Sequence, residues 1–192
     1  MYKGTYMSTR IAFGEQSFSA IRHKKCFYVD KTYFIKEWWN NAASVTLITR
    51  PRRFGKTLTL DMVKTFFSPE FYGRSDLFKG LNIWRSKKFR DIHGTIPVLF
   101  ISFSSVKSIN YANAREAICT LITLLYDKYK FLISENFLSE QQKRQFVSIQ
   151  PDMSDTKAAF SLMILSKYLE QYYGKNQLFF LMNMILQCRR RG

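Results

Sequence analysis

"VTLITRPRRFGKTLTL", Val45 to Leu60, decides how this chain is read. A β-branched apolar run of the kind buried in a parallel sheet leads into a short basic loop. Helical spacing resumes at Thr57, with Leu58, Met62, Val63, Phe66 and Phe67 on one broad face. A strand, a loop and a helix start are the three parts of a phosphate cradle. The strand aims the loop, the loop N–H groups converge on oxygen, and the helix N-terminus favours an anion.

The loop departs from the usual G-x-x-x-x-G-K-[ST] pattern at its first glycine, where Arg50 stands. That glycine mainly eases the turn out of the strand, and Pro51 offers another way to set it. Gly55 permits close approach of the main chain to phosphate. Lys56 would reach the β- and γ-phosphates, and the Thr57 hydroxyl would be a ligand of Mg²⁺. Arg52 and Arg53 either contact phosphate or face solvent, and Phe54 and Leu58 flank the core of the motif. The plain alternative is that F-G-K-T is a chance turn at a helix start.

Outward from the loop, "YFIKEWWNN" predicts a short amphipathic helix and "IPVLFISF", Ile96 to Phe103, a second buried strand. "NAREAICTLITLLYDKYKFL" and "KAAFSLMILSKYLEQYY" predict long helices, and "GKNQLFFLM" a third apolar strand. Strands alternating with helices predict an α/β fold with a parallel sheet. A chain of 192 residues holds one domain comfortably. The net charge of +16 favours polyanions: nucleotides, nucleic acid or acidic lipid.

Cys26, Cys119 and Cys188 are odd in number and lack C-x-x-C spacing. No apolar signal stretch follows Met1, and the expected compartment is a reducing cytoplasm. His23 and His93 are too scattered for a metal cluster or a Ser-His-Asp triad. "LFFLMNMILQC" falls well short of the roughly 20 apolar residues that span a bilayer, so a buried strand is expected and no membrane partner.

"RPRRFGKT" resembles the variant loop of a bacterial and archaeal AAA-ATPase-like family, in which arginine is usual where Arg50 stands. "IAFGEQSFSAIRHKKCFYVDKTYFIKEWW" is similar to that family's leading segment, with its Y-V-D-K-T motif. "LFKGLNIW", "HGTIPVLFISF" and "LSKYLEQYYGKN" are similar to its later landmarks, from about Arg10 to Lys175. The resemblance implies a P-loop NTPase-type three-layer αβα domain that binds ATP with Mg²⁺. It also implies frequent fusion to a C-terminal PD-(D/E)XK nuclease-like domain, through which nucleic acid would be a partner. Arg50, Pro51, Arg52, Arg53, Phe54, Gly55, Lys56, Thr57 and Leu58 would form the nucleotide site, with Thr57 on the metal. Asp30 and Lys31 either line that pocket or form a salt pair in a turn.

The family's acidic strand reads as an apolar run followed by D-E-Y-D. Its Asp falls at about Met182 and its Glu at about Asn183 here, and no acid follows Glu170. Methionine is no ligand for Mg²⁺, and an amide is no base. Codon overlaps suggest the reason. Met182 with Asn183 forces GAA, glutamate, in the shifted frame, and Met184 with Ile185 forces GAT, aspartate. The remaining overlaps permit D-E-Y-D-T-P-M-Q-E-A-W. A single-base insertion or deletion shortly upstream of Met182 is therefore expected. It divides the chain into a lead-in over 1–10, a partial domain over 11–181, incomplete at its C-terminus, and an out-of-frame tail over 182–192. On this basis ATP is bound and hydrolysis is impaired. Two rivals stand beside that reading: a basic nucleic-acid-binding module, and a truncated fragment with no function.

Overall fold

A computed structural model describes residues 10–41, 45–49, 54–106, 110–135 and 137–182. The chain divides into two compact units, Met1–Ile96 and Pro97–Gly192.

The first unit is helical. Helices α1 (Phe18–His23), α2 (Tyr33–Asn41), α3 (Lys56–Phe67) and α4 (Lys87–Ile92) are joined by turns and three short 3₁₀ segments. Helix α3 supplies the core: of the five residues that the sequence spacing puts on one face, Met62, Val63, Phe66 and Phe67 are buried and Leu58 is half-buried. Phe66 packs edge-on against Phe67, Phe78 and His93 at centroid distances of 5.0, 5.1 and 5.3 Å. Phe18 of α1 joins through Phe78 at 5.0 Å. The chain leaving α4 is tied back to the end of α3, with Gly94 N donating to Phe66 O and Ile96 N to Phe67 O, both at 2.9 Å. Only glycine fits at position 94. Its φ is +67°, and a Cβ there would come within 2.7 Å of the Tyr72 backbone.

His93 seals this aromatic cluster, with Phe78 and Trp84 also edge-on to its ring. It is buried, and among the described residues its Nε2 has no hydrogen-bond partner. Burial holds its pKa below the usual imidazole value, against a weaker upward pull from Asp76. The unfolded chain therefore takes up a proton below about pH 6.5 that the folded unit resists. Stability contributed by the neutral ring is complete above about pH 6.5 and is lost as pH falls through the lower folded value. The urea midpoint is expected to drop between pH 7 and pH 5, and His93→Phe to drop less. Equal slopes for the two proteins would refute this account.

The second unit is α/β. Strand β1 (Val98–Ser102) is followed by α5 (Tyr111–Lys128), α6 (Phe131–Ser134), α7 (Glu140–Val147) and α8 (Asp155–Tyr173), then strand β2 (Leu178–Met182). The strands pair in parallel, Val98 against Leu178 through Ser102 against Met182. Parallel pairing needs a crossover, and the four helices provide it. Caps set their ends: Asn110 accepts from Asn113 N, Ser139 and Gln142 form a reciprocal capping box, and Gly174 closes α8. The core gathers Leu99, Ile101, Cys119, Ile122, Leu165 and Leu169 with buried tyrosines. The Tyr126 hydroxyl donates to Ser161 O at 2.7 Å, and Tyr129 donates to Val98 O at 3.1 Å. Those bonds satisfy polar tips that burial would otherwise penalise.

The α/β class and both later strands agree with the sequence reading. The strand expected over Val45–Thr49 does not form, so the sheet has two strands among the described residues. A strand requires a neighbour to satisfy its N–H and C=O groups. Here the segment meets α2 instead: Trp38 Nε1 donates to Thr46 Oγ1 at 3.0 Å. Val45 and Leu47 remain 85% and 83% exposed, the opposite of the buried strand expected. Among the described residues no helix is long and apolar enough to cross a membrane.

Candidate functional site

Of the nine loop residues expected to hold phosphate, Arg50, Pro51, Arg52 and Arg53 lie outside the described residues. Phe54, Gly55, Lys56, Thr57 and Leu58 lie together where α3 begins. Gly55 is the N-cap, with φ +72° and ψ +24°, and as glycine it has no side chain with which to cap the terminus. The left-handed backbone is one that glycine adopts freely and other residues adopt at a cost of about 1–2 kcal/mol. Gly55 O accepts the first bond of the helix, from Thr59 N at 2.9 Å. Lys56 and Thr57 occupy the first turn, where the helix macrodipole is positive. Phe54 is exposed beside them.

Gly55→Ala is accordingly expected to lower the stability of the first unit by about 1–2 kcal/mol, from the left-handed backbone alone. A melting curve checks this, and an unchanged midpoint would refute it.

The Y-V-D-K-T segment lies against the same helix start. The Tyr28 hydroxyl donates to Met62 Sδ at 3.0 Å, and burial pushes its pKa up to about 12. Asp30 does not pair with Lys31. Its Oδ1 accepts from Thr32 N at 2.8 Å and Thr32 Oγ1 at 2.6 Å, and its Oδ2 accepts from Asn82 N at 2.7 Å. Thr32 Oγ1 in turn accepts from Ile83 N at 3.1 Å. Partial burial pushes the Asp30 carboxyl up, but the bonds from Thr32 and Asn82 outweigh it and hold the carboxyl below its usual range. Lys31, between the two clamping residues, carries its ammonium to Gly55: a Cβ built there would lie 3.2 Å from Lys31 Nζ. Of the two readings open in the sequence, the salt pair is absent and the approach to the loop is present.

The sequence reading missed the grip on Asn82 and Ile83. The D-x-T spacing signals the local Asp30–Thr32 bond, but nothing in the sequence points fifty residues ahead to the partner backbone. It also left Asp61 unassigned, the first acid after the loop. Asp61 Oδ2 accepts from Phe18 N at 2.7 Å and so fastens the start of α1 to α3. Burial pushes its carboxyl up, partly offset by that bond.

In the second unit, Met182 is the last residue of β2, buried, with its carbonyl accepting from Phe103 N at 2.9 Å. It brings a thioether to the place where an acid is expected. Asn183 lies outside the described residues, as does the rest of the tail to residue 192. Among the described residues no group of three or more His, Cys, Asp or Glu is placed to hold a metal. The Thr57 hydroxyl is a hard oxygen suited to Mg²⁺ beside phosphate, whereas Met182 is not. The Thr57 hydroxyl of the first unit therefore fits a cation brought in on a nucleotide's phosphates.

These features define an α/β protein whose first unit opens its central helix with G-K-T behind a left-handed glycine. The profile of the AAA-ATPase-like family, described as a predicted AAA-ATPase, matches residues 12–182, and the chain belongs to that family. A curated relative, "Uncharacterized protein in vnfD 5'region" of Azotobacter chroococcum mcd 1, is 37% identical over 95 residues. That alignment covers 49% of this chain and 17% of the relative. No solved structure matches the chain.

Proposed function

We propose that the chain binds a nucleoside triphosphate, ATP with Mg²⁺, at the loop 50–58. The observation that carries this is the start of α3, with Gly55 left-handed and Lys56 and Thr57 in the first turn. Family membership supports nucleotide binding as the general role. Lys56 is assigned to the β- and γ-phosphates and Thr57 to the Mg²⁺ that the nucleotide carries. The arginines at 50, 52 and 53 add positive charge, and the three-layer P-loop architecture is part of the same proposal.

Hydrolysis is proposed to be impaired. Steadying Mg²⁺ and activating the attacking water need an Asp and a Glu, and in the sequence Met182 and Asn183 stand at about the positions where the family's Asp and Glu are expected. A single-base insertion or deletion shortly upstream of Met182 is part of the proposal, and the codon overlaps at Met182–Asn183 and Met184–Ile185 support it. In the uninterrupted gene, a following nuclease-like domain that engages nucleic acid is proposed on the family resemblance.

Titrating Mg²⁺-ATP into the wild type and Lys56→Ala tests the binding reading. Saturable binding by the wild type and its loss in the variant are expected, with no phosphate release from either. Binding that survives Lys56→Ala would overturn it. Sequencing the parent gene upstream of codon 182 tests the frame, and an alternative frame that closes at once would refute that part.

A further inference from the structure

We propose that Lys31 is a second phosphate-binding cation of this site, delivered from outside the loop and held over Gly55 by Asp30 and Thr32. The proposal rests on the reading of loop 50–58 as a nucleoside triphosphate site.

Three observations carry it. The first is position: Lys31 Nζ sits 3.2 Å from where a Cβ on Gly55 would be, so the space at the head of α3 is shared between glycine and an ammonium.

The second is that this position is electrostatically unfavourable without an anion. A helix N-terminus carries about half a positive charge and is stabilised by anions, not cations. Lys56 belongs to the first turn of the same helix. Among the described residues no carboxylate forms an ion pair with Lys31, because the adjacent Asp30 is committed to Thr32 and Asn82. A phosphate entering there would be attracted to the helix terminus and to the Lys31 ammonium.

The third is rigidity. Lys31 is flanked by residues bonded to the backbone of Asn82 and Ile83, in a 3₁₀ segment packed into the core through Ile83. The Tyr28 bond to Met62 anchors the same segment to α3. The main chain at Lys31 is thus fixed from both sides, which reduces the side-chain ordering required when phosphate binds. An exposed surface lysine has no such support.

The chemistry favours the phosphate tail rather than the base or sugar. An ammonium is a compact point charge with three donors, suited to spread phosphate oxygens. Lys31 should therefore separate nucleotides by phosphate number.

The test is to titrate Mg²⁺-ATP, Mg²⁺-ADP and AMP into the full chain as wild type, Lys31→Met, Lys31→Arg and Lys56→Ala, with melting curves lacking nucleotide. Lys31→Met is expected to weaken ATP about tenfold, the scale of one hydrogen bond to a charged group, and AMP far less. Lys31→Arg should recover most of the loss. The nucleotide-free melting point of Lys31→Met should hold or rise, because a cation leaves the helix N-terminus. Unchanged ATP affinity in Lys31→Met beside a loss in Lys56→Ala overturns this role and leaves the loop reading intact. Equal losses for ATP and AMP with a lowered melting point show a merely structural lysine and also overturn it. A wild type that binds none of the three nucleotides overturns both this proposal and the loop reading.

Discussion

Lys56→Ala is expected to lower Mg²⁺-ATP affinity by about a hundredfold, with the fold unaltered. Its ammonium starts from the first turn of α3, directly after the left-handed Gly55. In the proposed site it donates to oxygens of two phosphates. Each hydrogen bond to a charged group contributes about 1.5–3 kcal/mol, and about 1.4 kcal/mol is a tenfold change in affinity. Two such bonds give at least about a hundredfold. Alanine is the best helix former, so the helix itself should not suffer. Calorimetric titration measures the loss, and circular dichroism checks that the helices remain. A loss below about threefold would remove Lys56 from the phosphate site.

Phe66→Ala is expected to destabilise the first unit by about 3–5 kcal/mol, the usual cost of truncating a buried aromatic. Phe66 is fully buried and touches the rings of Phe67, Phe78, Phe89 and His93. Its backbone carbonyl also receives Gly94 N, so the turn after α4 is registered on this residue. Domains of this size have about 5–15 kcal/mol in total, so the variant should unfold at much lower urea. Because α3 carries the proposed phosphate loop at its other end, nucleotide binding should fall with it. Tryptophan fluorescence from Trp38, Trp39 and Trp84 reports the transition. A midpoint shift of less than about 1 kcal/mol would show that the cluster repacks around the gap.

The elements legible in the sequence were those whose pattern is local. Helix α3 follows from apolar spacing over Leu58, Met62, Val63, Phe66 and Phe67, and all but the half-buried Leu58 are buried. Strands β1 and β2 follow from short, continuous apolar runs. Less legible were α1, α4 and α7, which are six to eight residues long and lie in polar stretches. Their stability comes from contacts such as that of Asp61 with Phe18 N, and not from their own periodicity. The segment Val45–Thr49 shows the reverse case. Its composition is that of a strand, but β structure depends on a hydrogen-bonded neighbour, and the contact it makes is with Trp38 of α2.

The candidate site divides along the same line. The sequence by itself determined which groups were available: glycine, lysine and threonine in a row, arginines before them, and methionine where an acid was expected near residue 182. Those are matters of covalent order and side-chain chemistry. Tertiary structure decided where the pieces went. It turned Asp30 towards Asn82 rather than towards its neighbour, and so left Lys31 at Gly55. It gave Asp61 to the start of α1. Each outcome depended on which backbone N–H groups the fold brought within about 3 Å of a carboxylate, and residues fifty positions apart meet only after the chain has packed.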